Sequence, residues 1–149
     1  MKKLFLIICL GLTGFLSHAQ SPVSWTFSSK KISDKTFELH LTADIQTGWH
    51  LYSQEQPDDA IAIPTSVKFN NNALLKTDGK VKEIGKMEKF KDQTLGVSAY
   101  QYSEKVDFVQ LVKLRSNAKT NVSGTVEFQT CNDKKCLPPK TVTFNVALK

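Results

Sequence analysis

The clearest pattern in the chain is the strict alternation from Phe37 to Ile45. Phe37, Leu39, Leu41, Ala43 and Ile45 are apolar, and Glu38, His40, Thr42 and Asp44 between them are polar. A period of two predicts a strand with one buried face, and it places His40 on the polar face as a solvated side chain rather than a ligand. Ser24 to Ser29 predicts an earlier strand with Trp25 and Phe27 on one face, ended by the polar stretch Lys30 to Lys35. After the turn signal Thr47-Gly48, Trp49 and Leu51 share the core parity, while His50 and Tyr52 point the other way. Ser53 to Ala60, with Pro57 and Asp58-Asp59, reads as a surface loop. Ile61 to Pro64 and a short strand Ser66 to Phe69 follow, closed by three asparagines.

Further along, Asp78-Gly79 between Leu74-Leu75 and Val81 to Ile84 has the composition of a hairpin turn. Lys86 to Gly96 is charged but carries Met87, Phe90 and Leu95. Its flanking glycines predict a loop, and loops of that length in compact domains are often functional. Val97 to Tyr102 and Lys105 to Leu114 predict two strands, the second apolar on both parities and therefore central in its sheet. Many short strands, regular turn signals and no sustained helical period predict one all-β antiparallel β-sandwich.

The N-terminus changes the picture. Met1-Lys2-Lys3 precedes an apolar run from Leu4 to Leu16 and the small-residue pattern Ser17-His18-Ala19. This is the layout of a secretory signal peptide over residues 1–19, cut after Ala19, and the apolar run falls short of the ~20 residues of a membrane span. Cys9 leaves with it. The remaining 130 residues suit one domain, residues 20–149, with a formal charge of +4 once Lys2 and Lys3 are gone. No basic run interleaved with aromatics points to nucleic acid, and after cleavage nothing calls for membrane insertion. The expected location is the periplasm or the exterior.

Two cysteines remain, Cys131 and Cys136, separated by four residues and set between β-like runs at Thr125 to Phe128 and Thr141 to Leu148. Placed opposite each other on a hairpin, their Cα atoms fall roughly 4.5 to 5.5 Å apart, within disulfide reach. A bridge closing a ring of about six residues is worth only about 2 kcal/mol in chain entropy. Such a pair is a poor brace and a serviceable switch, so spacing alone leaves a redox pair and a structural staple both open. Zinc is the weaker third reading, because only His40 and His50 remain as soft ligands and neither lies in a metal-like spacing with the cysteines. No cofactor motif, phosphate loop or Ser-His-Asp arrangement is evident. Lys134 and Lys135 inside the ring favour a thiolate and Asp133 opposes them. Pro138-Pro139 withholds two backbone donors, leaving an edge free beside the pair.

The run Phe128-Gln129-Thr130-Cys131-Asn132-Asp133-Lys134-Lys135-Cys136-Leu137-Pro138-Pro139 resembles the active-site hairpin of the N-terminal periplasmic domain family of the thiol:disulfide interchange reductase DsbD. Gly48 to Ser53, Ile63-Pro64 and Val67 to Phe69 resemble it too. The resemblance implies an immunoglobulin-like sandwich that carries electrons between thioredoxin-like partners, a component of a thiol-disulfide oxidoreductase. It implies that Cys136 forms the mixed disulfide and Cys131 resolves it. It further implies an aromatic cap over the pair, for which Phe90 or Leu95 is the matching residue. The full-length reductase joins this domain to a membrane domain and a thioredoxin-like domain. This chain stops at Lys149, so electrons are expected from a separately encoded membrane protein. The alternative is a secreted sandwich binding module with a structural disulfide.

Overall fold

A computed structural model describes residues 21–149, and the predicted signal peptide lies outside them. Every regular element among the described residues is a strand: β1 (Val23–Ser33), β2 (Thr36–Ile45), β3 (His50–Tyr52), β4 (Ser66–Phe69), β5 (Leu75–Asp92), β6 (Val97–Leu114), β7 (Asn121–Phe128), β8 (Thr130–Cys131) and β9 (Lys140–Ala147). The larger sheet runs β1-β2-β6-β3-β8 with β5 also paired to β6, and the smaller runs β4-β7-β9. All pairings are antiparallel. The predicted sandwich is therefore the observed one.

The core follows from the alternation. Phe37, Leu39, Leu41 and Ala43 of β2 and Val106, Phe108 and Val112 of β6 meet Val122, Val126 and Phe128 of β7 and Phe144 and Val146 of β9 between the sheets. An aromatic chain stitches the layers, with Trp25 packed 5.8 Å from Phe108 and 5.3 Å from Phe128, and Phe144 against Phe27 and Phe69. A satellite cluster of Tyr52, Ala99 and Cys131 sits apart from this core.

Several local expectations are corrected. The first strand runs through the polar stretch to Ser33, because β2 supplies partners as far as Thr36. Asp78-Gly79 is a bulge within one continuous strand, where the register on β6 jumps between Asp78 and Lys82. Gly79 has φ +71, the conformation that a glycine bulge and a hairpin turn both require, so composition could not tell them apart. Gln110, buried on the apolar parity, is there for this bulge: its side-chain amide donates to the Asp78 and Gly79 carbonyls at 2.9 and 3.3 Å. Across the same pair, Lys113 contacts the Asp78 carboxylate at 2.7 Å and holds its pKa below the usual value, through that hydrogen bond and through charge.

The expected loop over Lys86 to Gly96 is the end of β5 and a four-residue turn, and the two strands expected downstream are one, β6. Together they form a long hairpin paired out to Asp92 and Val97. Lys76, Lys80, Lys82, Lys86, Lys89 and Lys91 along β5 explain the misleading composition, since charged side chains guard the free edge of a sheet against pairing with another chain. Strand β6 is central as predicted, flanked by β5 throughout, by β2 over its second half and by β3 near its start. The changeover falls at Glu104, which has φ 65. His40 is not simply solvated: its Nδ1 lies 2.7 Å from Asp107, whose other oxygen accepts from Thr42 at 3.1 Å.

Two measurements test this architecture. A Cβ on Gly124 would fall on the Lys68 carbonyl and lie 2.6 Å from Phe144 Cζ, so β4 packs against β7 only because that position is bare. Gly124→Ala is expected to lose about 1–3 kcal/mol in urea unfolding, the usual range for overpacking. Glu83 accepts from Tyr102 at 2.7 Å, from Ser53 Oγ at 2.7 Å and from the Gln54 amide at 2.7 Å. Burial first, and then this hydrogen bond and the charge of Glu83, raise the Tyr102 phenol pKa. Above about pH 10 the unfolded chain sheds a phenolic proton that the folded chain keeps, so this stability is full below pH 10 and falls as pH rises. The urea midpoint should drop more steeply above pH 10 in the native protein than in Tyr102→Phe.

Candidate functional site

The site is built where the two sheets are joined. Strand β7 ends its pairing with β9 at Phe128, and after Gln129 the chain crosses to the larger sheet, where Thr130 and Cys131 pair with Leu51 and His50 of β3. Parity decides what each residue meets: Leu51 and Thr130 are buried toward the main core, and His50, Tyr52 and Cys131 face outward onto one cavity. The parity read for Trp49 to Tyr52 holds.

Cys131 and Cys136 lie opposite each other and are joined as a disulfide, with Cα atoms 4.0 Å apart, closer than the hairpin estimate. The ring between them is held locally. Asn132 Oδ1 accepts from the amides of Lys134 and Lys135 at 3.0 and 2.9 Å, and its own amide donates to the Lys135 carbonyl at 2.9 Å. Below the ring the Leu137 amide donates to the Thr130 carbonyl at 2.9 Å. Gln129 ties the arms to the neighbouring loop: its Nε2 donates to the Leu137 carbonyl at 3.3 Å and its Oε1 accepts from the Ile63 amide at 3.1 Å. The two sulfurs are not equivalent. Cys131 is 4% exposed, within the satellite cluster, whereas Cys136 stands in solvent with Asp133, Lys134 and Lys135 around it.

The cavity beside the pair has a volume of about 510 Å³. Its floor is the outer face of β3, β6 and β8, and its walls are the β5–β6 hairpin and the loop carrying Ile61 and Ala62. That loop is pinned to β6 by Gln56, which accepts from the Tyr100 amide and donates to its carbonyl, and by Ser98 donating to Asp59. Phe90 lines the cavity from the arm of β5, opposite Ala99, and Leu95 from the turn. In the turn Asp92 Oδ1 accepts from the amides of Thr94 and Leu95, and Gly96 has φ +67. Phe90 and Leu95 are 48% and 69% exposed, so they stand around the pair with their apolar faces open. Tyr52, beneath Cys131, has its phenol pKa raised by burial.

One residue of this site was not singled out from the sequence. His50 lies in register with Cys131, lines the same cavity, and directs Nε2 toward the ring, 3.9 Å from Asp133. Its Nδ1 is 3.0 Å from Ser103 Oγ. Nothing within a few residues of His50 signals this, because both partners lie more than fifty residues away. Among the described residues no group of three His, Cys, Asp or Glu side chains is arranged to hold a metal ion.

None of the curated proteins compared matches this chain. Among solved structures it is similar to the DsbD N-terminal domain of Neisseria meningitidis in its reduced form, with 14% identity over 83% of this chain and 84% of that one and a TM-score of 0.51. It is also similar to the N-terminal periplasmic domain of ScsB from Proteus mirabilis, with 16% identity over 83% of this chain and 44% of that one and a TM-score of 0.55. A third similar structure is the complex between the DsbD and PilB N-terminal domains of Neisseria meningitidis, at 14% identity, 86% and 87% coverage and a TM-score of 0.51. These likenesses establish an immunoglobulin-like fold. Residues 19–148 match the family model described as thiol:disulfide interchange protein DsbD, N-terminal, and the chain belongs to that family.

Proposed function

We propose that Cys131 and Cys136 are a working dithiol–disulfide pair through which this domain passes electrons between thioredoxin-like partners in the periplasm, after cleavage behind Ala19. The observation that carries the reading is the asymmetry of the pair. One cysteine is exposed while its partner is buried in a satellite cluster with Tyr52 and Ala99. Exchange requires this division, because a mixed disulfide forms on an accessible sulfur and is resolved by a second thiol kept within ring-closing distance.

In the reductive direction an incoming thiolate attacks Cys136 Sγ, the Cys131–Cys136 bond breaks, and Cys131 leaves as a thiolate that takes a proton. A second thiol of the same donor then attacks its own sulfur in the mixed disulfide, releasing Cys136 and leaving the donor oxidised. Passing electrons onward reverses these steps on a disulfide-bearing partner. The electron source on this reading is a membrane electron-transfer protein. The complex of a family relative with a PilB domain supports engagement by a protein partner. Phe90 and Leu95 line the cavity that such a partner passes, and on this reading they are the cap over the pair.

Titration against glutathione and dithiothreitol buffers should place the potential of the pair between roughly −120 and −270 mV, the range of exchange proteins, with the fold retained in both states. Cys131→Ser should hold a thioredoxin-like partner on Cys136 as a mixed disulfide on non-reducing gels. A pair that stays oxidised below about −300 mV, in a protein that unfolds on reduction and holds no partner, would be a structural staple. Separately, replacing both Phe90 and Leu95 by alanine should speed reaction of the reduced protein with a small thiol reagent, followed by stopped flow. Unchanged rates would place the cap elsewhere.

A further inference from the structure

We infer that His50 is the proton acceptor and donor for Cys131, oriented by a Glu88–Ser103–His50 hydrogen-bond chain that runs from β5 through β6 to β3; the inference rests on the exchange reading above. The register supplies the proximity. Residues directly opposite on antiparallel strands hold their Cβ atoms about 4.5–5.5 Å apart on the same face, and His50 is opposite Cys131 with both side chains on the cavity.

The hydrogen bonds supply the tautomer. Ser103 Oγ donates to Glu88 Oε2 at 3.1 Å, so its oxygen is left to accept from His50 Nδ1 at 3.0 Å. A neutral imidazole carries one ring proton, and here Nδ1 holds it, which leaves the lone pair on Nε2. Nε2 is the nitrogen directed at the disulfide ring, as its 3.9 Å approach to Asp133 shows. When Nε2 takes a proton, the imidazolium faces the carboxylates of Glu88, through Ser103, and of Asp133. Asp92 and the Tyr52 phenol line the same cavity from β5 and β3, and the exposed ammonium groups of Lys134 and Lys135 in the ring favour a thiolate. This is the arrangement in which a base is held in one orientation by a third group.

The step balances. With a mixed disulfide on Cys136, His50 Nε2 takes the Cys131 thiol proton, the Cys131 sulfur forms its bond to Cys136 Sγ, and the bond from Cys136 to the partner breaks with its electron pair leaving on the partner's sulfur. Run backward, an external thiolate attacks Cys136 and the imidazolium returns the proton to Cys131 as it leaves. Cys131 is 4% exposed and opens only onto the cavity that His50 lines, whereas exposed Cys136 exchanges its proton with solvent directly.

The two thiols can be read separately by mixing the reduced protein with dithiobis(nitrobenzoate), which releases one coloured thiolate when Cys136 attacks and a second when Cys131 resolves the adduct. Followed from about pH 5.5 to 9.5, the second release should level off at a lower pH in the native protein than in His50→Gln. In His50→Gln it should be about tenfold slower near pH 7, keep rising with pH, and converge with the native rate at the alkaline end. The first release should be unaffected by the substitution. Ser103→Ala should give an intermediate profile. A second release in His50→Gln that follows the native pH profile, or that is slower by one constant factor at every pH, overturns the inference while leaving the exchange reading intact. Absence of both releases in the native protein would overturn the exchange reading itself, and this inference with it.

Discussion

Two residue pairs, His50 with Cys131 and Leu51 with Thr130, hold the functional end of this domain together. They are where the chain, between the adjacent strands β7 and β9 of the smaller sheet, steps across to pair with the larger one. Without that crossing, the segment after Phe128 would continue as the free end of the β7–β9 hairpin, and both cysteines would stand in water. With it, parity divides the roles: Leu51 and Thr130 close the main core, and Cys131 is pressed onto Tyr52 and Ala99. A short ladder is enough because the neighbouring contacts are good. Gln129, at the crossing, ties in the return arm through the Leu137 carbonyl and the neighbouring loop through the Ile63 amide, and Leu51 is fully buried.

The chemical asymmetry of the pair follows from the same constraint. A six-residue ring is too small to brace a sandwich, since its entropic contribution is about 2 kcal/mol against a typical total of 5 to 15 kcal/mol. The sandwich is held instead by the interdigitated alternation of β2, β6, β7 and β9 and by the aromatic chain around Trp25 and Phe144. The disulfide is therefore an addition to a fold already complete. The exchange proposed above needs that independence, because a bond that is to open and close cannot also carry the core.

The surroundings of the pair come from elements distant in sequence, each fixed by its own local device. The β5–β6 hairpin reaches the site because a glycine bulge at Gly79, satisfied by buried Gln110, lets an eighteen-residue strand stay paired through a register shift. The loop after β3 is carried to the same cavity by Gln56, whose side chain bonds Tyr100 as a strand backbone would, and by Ser53 and Gln54 anchored on Glu83. A cavity so assembled is walled on two sides by segments that do not depend on the disulfide.

What the sequence by itself determined was whatever depends on near neighbours. Period-two alternation gave β2 and the parity of Trp49 to Tyr52, apolar residues on both parities gave the centrality of β6, and the four-residue spacing placed Cys131 and Cys136 opposite each other. The motif from Phe128 to Pro139 carried the family. Tertiary structure decided whatever depends on which strand lies alongside. Asp78-Gly79 serves a turn and a bulge equally well, and lysines on a free strand edge look the same in a list of residues as lysines in a loop, so the long hairpin was read as two strands and a loop. His50 offers no local sign of its position, because the residues that orient it, Ser103 and Glu88, and the cysteine it faces come from three other strands. Pairing across strands is a nonlocal choice made by the total burial of the sandwich, and no stretch of the chain taken alone contains it.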